Sequence, residues 1–218
     1  MTAQTMLTLL FQGFLSTLAI FTLTLLGSLP LGLFVYFGKK SPISPIRWGI
    51  NTYISIMRGT PLMLQLMVVY FGPNLLFGMS VSANWRFAAV IIGFVINYAA
   101  YFAEIYRGGI ESIPVGQYEA AEMLGYTRGQ TFLRIILPQM VKRVLPAVTN
   151  EVITLVKDTS LASVIGVVEI FTRAKQINSA PGGMGLWAFL AAGAIYYVFN
   201  CIVTVVMDRA EKRLSYYQ

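Results

Sequence analysis

The chain has 218 residues, 56% of them hydrophobic and only 11% charged, with a formal net charge of +7. Soluble domains carry about 25% charged residues, so this deficit places most of the surface against lipid and argues for one membrane domain, residues 1–218, rather than one or two soluble ones. The sequence contains no histidine, which excludes His-based triads and most zinc sites, and its single cysteine, Cys201, excludes a disulfide framework.

Five apolar spans are predicted, roughly at 14–37, 50–71, 86–106, 144–166 and 186–207, each about 20 or more residues and so long enough for a ~30 Å hydrocarbon core. The first is read as a retained helix, because the first charge is Lys39 and nothing resembles the basic start of a secretory signal. Gly27 and Pro30 should bend it. Gly59 and Pro61 should interrupt the second span and free backbone groups beside Arg58. Residues 171–185 should lie outside the membrane or dip back into it, with a turn at 179–183. Trp48, Trp85, Trp187, Tyr216 and Tyr217 sit near predicted ends, where aromatic belts form.

Charge sets the orientation. One side carries Lys39, Lys40, Arg47, Arg107, Arg128, Arg134, Lys142, Arg143, Arg209, Lys212 and Arg213, whereas the other carries Arg86, Arg173 and Lys175. The richer side is cytoplasmic by the positive-inside rule, which puts the N-terminus outside and the C-terminus inside. Because these basic groups flank spans and form no separate basic domain, no nucleic-acid partner is expected.

The loop at 116–139, GQYEAAEMLGYTRGQTFLRIILPQ, then falls in the cytoplasm. Gln117 to Leu124 are good helix formers, and Gly125 should end that helix. Thr127 can cap a second helix over 128–136, and Pro138 suits the start of the element that follows.

The pattern Glu119-Ala120-Ala121, Gly125, then Ile135, Leu137 and Pro138 resembles the EAA loop of ABC importer permeases. Further matching pieces are Arg58-Gly59-Thr60-Pro61-Leu62 with Gln65, Asn97 with Tyr101 and Ala103-Glu104, and Lys157-Asp158-Thr159-Ser160-Leu161. Together they cover nearly the whole chain and resemble the polar amino-acid uptake branch, with its cystine, glutamine and histidine types. The resemblance implies an all-α type I permease fold in a bacterial inner membrane. It also implies a second permease chain (identical or not), an extracellular or periplasmic amino-acid-binding protein, and two ATPase subunits that bind the ATP and Mg. Glu119, Ala120, Ala121 and Gly125 would couple to the ATPase. Where many members carry Glu three residues before the Arg of RGTP, this chain has Ser55, as cystine-type permeases tend to. The missing carboxylate points away from a cationic substrate.

Ionisable groups inside a membrane cost roughly 2.5–3.5 kcal/mol and need a partner or a purpose. By helical rise, Arg58, Asn97 and Lys157 fall about 12, 16 and 18 Å from their entrances, all near the midplane. Arg58 or Lys157 is expected to meet a substrate carboxylate and Asp158 its ammonium, with Ser55 and Asn97 adding hydrogen bonds. The competing expectation is that Arg58 and Asp158 form structural pairs. Lys157 and Asp158 must point about 100° apart on a regular helix, unless it unwinds at Thr159 and Ser160. Glu104 and Arg107, one turn apart, are expected to pair.

Other functions fit less well. Lys157 and Ser160 form a conceivable Ser-Lys pair, but no oxyanion site accompanies them. Residues 38–41, GKKS, resemble a phosphate loop with Leu33 where its first Gly belongs and Lys40 where Ser or Thr belongs. An ion-coupled secondary transporter would also place charges at the midplane, although it gives the EAA pattern no role.

Overall fold

In a computed structural model, residues 2–80, 82–182 and 184–214 are described; Tyr216, Tyr217 and Gly183 lie outside them. The described residues are helical throughout: α1 (Ala3–Lys39), α2 (Ser44–Gly59), α3 (Leu62–Phe77), α4 (Ala83–Glu111), α5 (Val115–Met123), α6 (Arg128–Thr131), α7 (Leu137–Asp158), α8 (Ile170–Ser179) and α9 (Leu186–Leu214). A π turn, Phe132–Ile136, joins α6 to α7, and a 3-10 turn, Thr159–Ile165, follows α7.

By length and apolarity α1, α4 and α9 are each able to span, while α2 and α3, bent by 114° at their break, form either a broken span or a re-entrant loop. The predicted fourth span, 144–166, falls on α7 and the 3-10 turn. That helix has the length, but it carries Lys142, Arg143, Glu151, Lys157 and Asp158 and does not qualify by composition. The first span begins earlier than predicted because Thr2 caps the helix, accepting from the Thr5 N–H at 3.3 Å. It continues unbroken through Gly27 and Pro30.

The core sits where α1, α3, α4, α7 and α9 meet, filled by Ile20, Leu66, Phe94, Phe102, Leu155 and Phe199. Phe14 and Phe21 of α1 pack edge-on against Phe199 of α9, at 5.3 and 5.2 Å. Close crossings depend on missing side chains. A Cβ on Gly109 would run into the Val144 side chain, so α4 and α7 touch nearly backbone to side chain just above the loop. A Cβ on Gly13 would lie 2.9 Å from the Glu169 backbone, which lets α8 rest on α1.

The predicted interruption at Gly59–Pro61 is present, and its hydrogen bonding is explicit. In a continuous helix the Met57 carbonyl would accept from the N–H of residue 61, which proline lacks. Instead it accepts from Gln65 Nε2 and Asn97 Nδ2, both at 3.0 Å. Gln65 Nε2 also reaches the Thr60 carbonyl and hydroxyl, at 3.1 and 2.8 Å, while its Oε1 accepts from Asn97 at 2.9 Å. Two amide side chains thus replace the missing helix bonds and fix the bend.

Candidate functional site

Two regions concentrate chemistry: a polar pocket at the bend and the loop between α4 and α7. The pocket, about 200 Å³, lies between Thr60 and Leu62 at the bend, Asn97, Tyr98 and Tyr101 of α4, and Glu151, Thr154 and Asp158 of α7. α7 presents these last three at i, i+3 and i+7, one stripe of a helix. Asp158 accepts from the Tyr98 hydroxyl at 2.8 Å. The lining holds two carboxylates and no basic side chain.

The predicted site residues divide. Asn97 and Asp158 line the pocket. Asn97 is 4% exposed, and its amide donates twice to the bend. Ser55, Arg58 and Lys157 do not line it. Ser55 and Lys157 are exposed. Arg58 lies over the Tyr101 ring at 5.4 Å, so it borders the pocket through that ring. Its guanidinium also approaches Glu104 at 3.8 Å.

Glu104 is the centre of an ion-pair cluster. It accepts from Lys39 and, at 2.8 Å, from Arg107, as expected for that pair. Arg107 also bonds Glu111 at 2.5 Å, and Glu111 accepts from Lys40 at 2.8 Å. That hydrogen bond holds the Lys40 ammonium above its ordinary pKa. The cluster ties the ends of α1 and α4 together beside the loop.

The pocket residues not expected there from the sequence are Thr60, Leu62, Tyr98, Tyr101, Glu151 and Thr154. A signal for two of them existed: Glu151, Thr154 and Asp158 fall on one face of any helix drawn through this segment. Among the described residues, no group of Cys, Asp and Glu is arranged to hold a metal ion.

The loop follows its sequence signals closely. Gly125 takes a φ of +77°, and the Gly125 and Tyr126 N–H groups donate to Glu122 and Ala121 carbonyls at 2.9 and 3.0 Å. This is a glycine-terminated helix end with both orphan carbonyls satisfied. Thr127 and Gln130 form a reciprocal cap. Glu119 and Ala120 are exposed, whereas Ala121 is buried against the rest of the chain. The sequence reading passed over the exposed apolar residues: Met123 is 88% and Leu124 74% exposed, with Val115 and Leu133 nearby in sequence. They give the loop an exposed apolar surface. Phe132 packs on Phe37 of α1 at 6.2 Å, and Gln139 bonds Gln117 at 3.3 Å, so the loop is anchored to α1 and α7. Substituting Gly125→Val should cost about 1–2 kcal/mol of left-handed strain or more. The expected result is a lower melting temperature with the subunit still present in the membrane, measured by thermal unfolding in detergent alongside membrane immunoblots.

Known proteins resemble this chain in sequence and fold. Residues 28–216 match the sequence pattern of the family described as "Binding-protein-dependent transport system inner membrane component". The chain is similar to the arginine transport system permease protein ArtQ of Bacillus subtilis (strain 168), at 38% identity over 94% of this chain and 91% of that protein. It is also similar to the L-cystine transport system permease protein TcyB of the same organism, at 34% identity over 94% and 86%. A chain from the crystal structure of an amino acid ABC transporter with histidines superposes with a TM-score of 0.86 at 34% identity, covering 98% of this chain and 100% of that one. The methionine ABC transporter MetNI, in an inward-facing form, shares the fold at a TM-score of 0.77 and 19% identity, over 98% and 100%. With the matched pattern running from the middle of α1 to beyond the described end of α9, the chain belongs to the inner-membrane components of binding-protein-dependent transport systems.

Proposed function

We propose that this chain is the permease subunit of an ATP-driven importer of amino acids. In this reading it pairs with a second permease chain, receives substrate from an extracellular or periplasmic binding protein, and is driven by two ATPase subunits that hold ATP and Mg. The N-terminus is outside and the C-terminus cytoplasmic, in agreement with the distribution of lysine and arginine. The ATPase engages Glu119, Ala120, Met123 and Leu124 on the loop.

The observation that carries the substrate reading is the pocket at the bend. Glu151 and Asp158 line a small polar cavity without a basic partner in its wall. A carboxylate pair of this kind suits a ligand with positive charge, because an opposite charge within ion-pair reach offsets the cost of holding carboxylates out of water. The substrate class is therefore an amino acid carrying a second cation besides its α-ammonium. Arg58, stacked on Tyr101 at the border, is placed to meet the α-carboxylate. Ser55, exposed and away from the pocket, does not enter this discrimination. The arginine and histidine named for two of the similar proteins agree with the charge of the lining.

The test is ATPase activity of the reconstituted complex, with and without its binding protein, across arginine, lysine, histidine, glutamine and cystine. Stimulation by the cationic members is expected. Stimulation by glutamine or cystine alone would discard the cationic class, and stimulation by none would discard the amino-acid assignment.

A further inference from the structure

α8 is an amphipathic helix whose apolar face is already used. Ile170, Ala174 and Ile177 are buried against α1 and α9. Its other face carries Lys175, Gln176 and Asn178, with Arg173 half-buried at its edge beside Gly13 of α1 and donating to Gln176 at 3.1 Å, and Lys175 lying over the Phe171 ring at 5.7 Å. In the orientation above this helix is on the outer side. The segments assigned there, residues 1–2, 78–82 and 166–185, contain one acidic residue, Glu169. That carboxylate is 0% exposed. It accepts from the Phe171 and Thr172 N–H groups, both at 2.7 Å, from the Thr172 hydroxyl at 2.8 Å and from the Tyr196 hydroxyl at 2.7 Å. Glu169 therefore gives the outer surface no accessible negative charge, and apart from Phe171 the exposed face of α8 is basic and polar.

The same four bonds make α8 a fixed platform. Tyr196 belongs to α9, and the Ile170 N–H donates to Thr17 of α1 at 3.4 Å. α8 also packs on the 3-10 turn that begins immediately after Asp158. A load on α8 thus reaches the outer end of α7 and the pocket through tightly packed structure.

We propose that the outward face of α8 docks an acidic lobe of the soluble binding protein. The proposal rests on the importer reading above. A membrane surface is the other partner a basic amphipathic helix suggests, but such a helix lies in lipid on an apolar face. Here that face is buried within the protein, and Phe171, at 38% exposure, is the only large apolar side chain α8 exposes.

The experiment measures ATPase stimulation of the detergent-solubilised complex, free of charged lipid, against binding-protein concentration at several ionic strengths. Lys175→Glu and, separately, Gln176→Glu should raise the half-maximal concentration roughly tenfold and weaken its dependence on salt, as rim charges act chiefly on encounter. Basal activity and maximal stimulation should be unchanged. A stimulated complex indifferent to both substitutions would overturn this docking surface alone, as would an effect seen only in anionic liposomes, which assigns the face to lipid. No stimulation of the unaltered complex by any binding-protein concentration would overturn the importer reading and this proposal with it.

Discussion

Neutralising Glu151 as Gln should raise the substrate concentration for half-maximal uptake about 10- to 150-fold, corresponding to the ~1.5–3 kcal/mol of a hydrogen bond to a charged group. Asp158→Asn should act in the same direction but more weakly, because Asp158 already accepts from Tyr98 at 2.8 Å and the amide oxygen can keep that bond. Glu151 has no recorded hydrogen bond among the described residues, so its carboxylate is the group a ligand would complete. Uptake by proteoliposomes over a concentration series, with the level of folded protein matched, reads both effects. A Glu151→Gln variant with unchanged uptake of a cationic amino acid would remove the pocket from the transport pathway. Relief of selectivity, with a neutral amino acid now competing, would be the strongest support.

The second large effect is expected at the bend. Gln65→Leu removes the donor for three acceptors, the Met57 carbonyl and the Thr60 carbonyl and hydroxyl, and the acceptor for Asn97. Each polar group left unsatisfied away from water costs about 1–3 kcal/mol, and within lipid several kcal/mol. The loss should appear as a lower melting temperature in detergent and poor recovery of assembled complex. Gln65→Glu retains an acceptor for Asn97 but not the donor, so it should be intermediate. If Gln65→Leu assembles and transports normally, the bend is held by packing alone and the two amides have another purpose.

These cases show what one-dimensional reading captures. The loop was legible because each of its signals is local. Gly125 stops a helix, Thr127 caps one, and Gln130 sits at the third position to complete the cap. The bend at Gly59–Pro61 was legible for the same reason. Asn97 was expected to serve substrate, and its amide donates to the Met57 carbonyl, 40 positions away, and to Gln65. No local pattern predicts which orphaned backbone group a distant side chain will satisfy. Arg58 was expected either at the substrate or in a structural pair, and its approach to Glu104 and its stacking on Tyr101 set its position at the border of the pocket. Glu151 lies seven residues before Asp158, so helical periodicity rather than sequence adjacency joins it and Thr154 to Asp158 on one face of α7.

The π turn at Phe132–Ile136 has a geometric consequence for how the loop and the pocket are linked. Leu137 bonds back to the carbonyl five positions earlier, so this turn holds one residue more than an α-helical turn would. An α-helix advances about 100° per residue. The extra residue therefore sets the phase between the loop at one end of this long helical rod and the Glu151-Thr154-Asp158 stripe at the other. With the loop held in place, a rod wound as α-helix throughout would turn that stripe about 100° away from the bend and leave the pocket without its carboxylates.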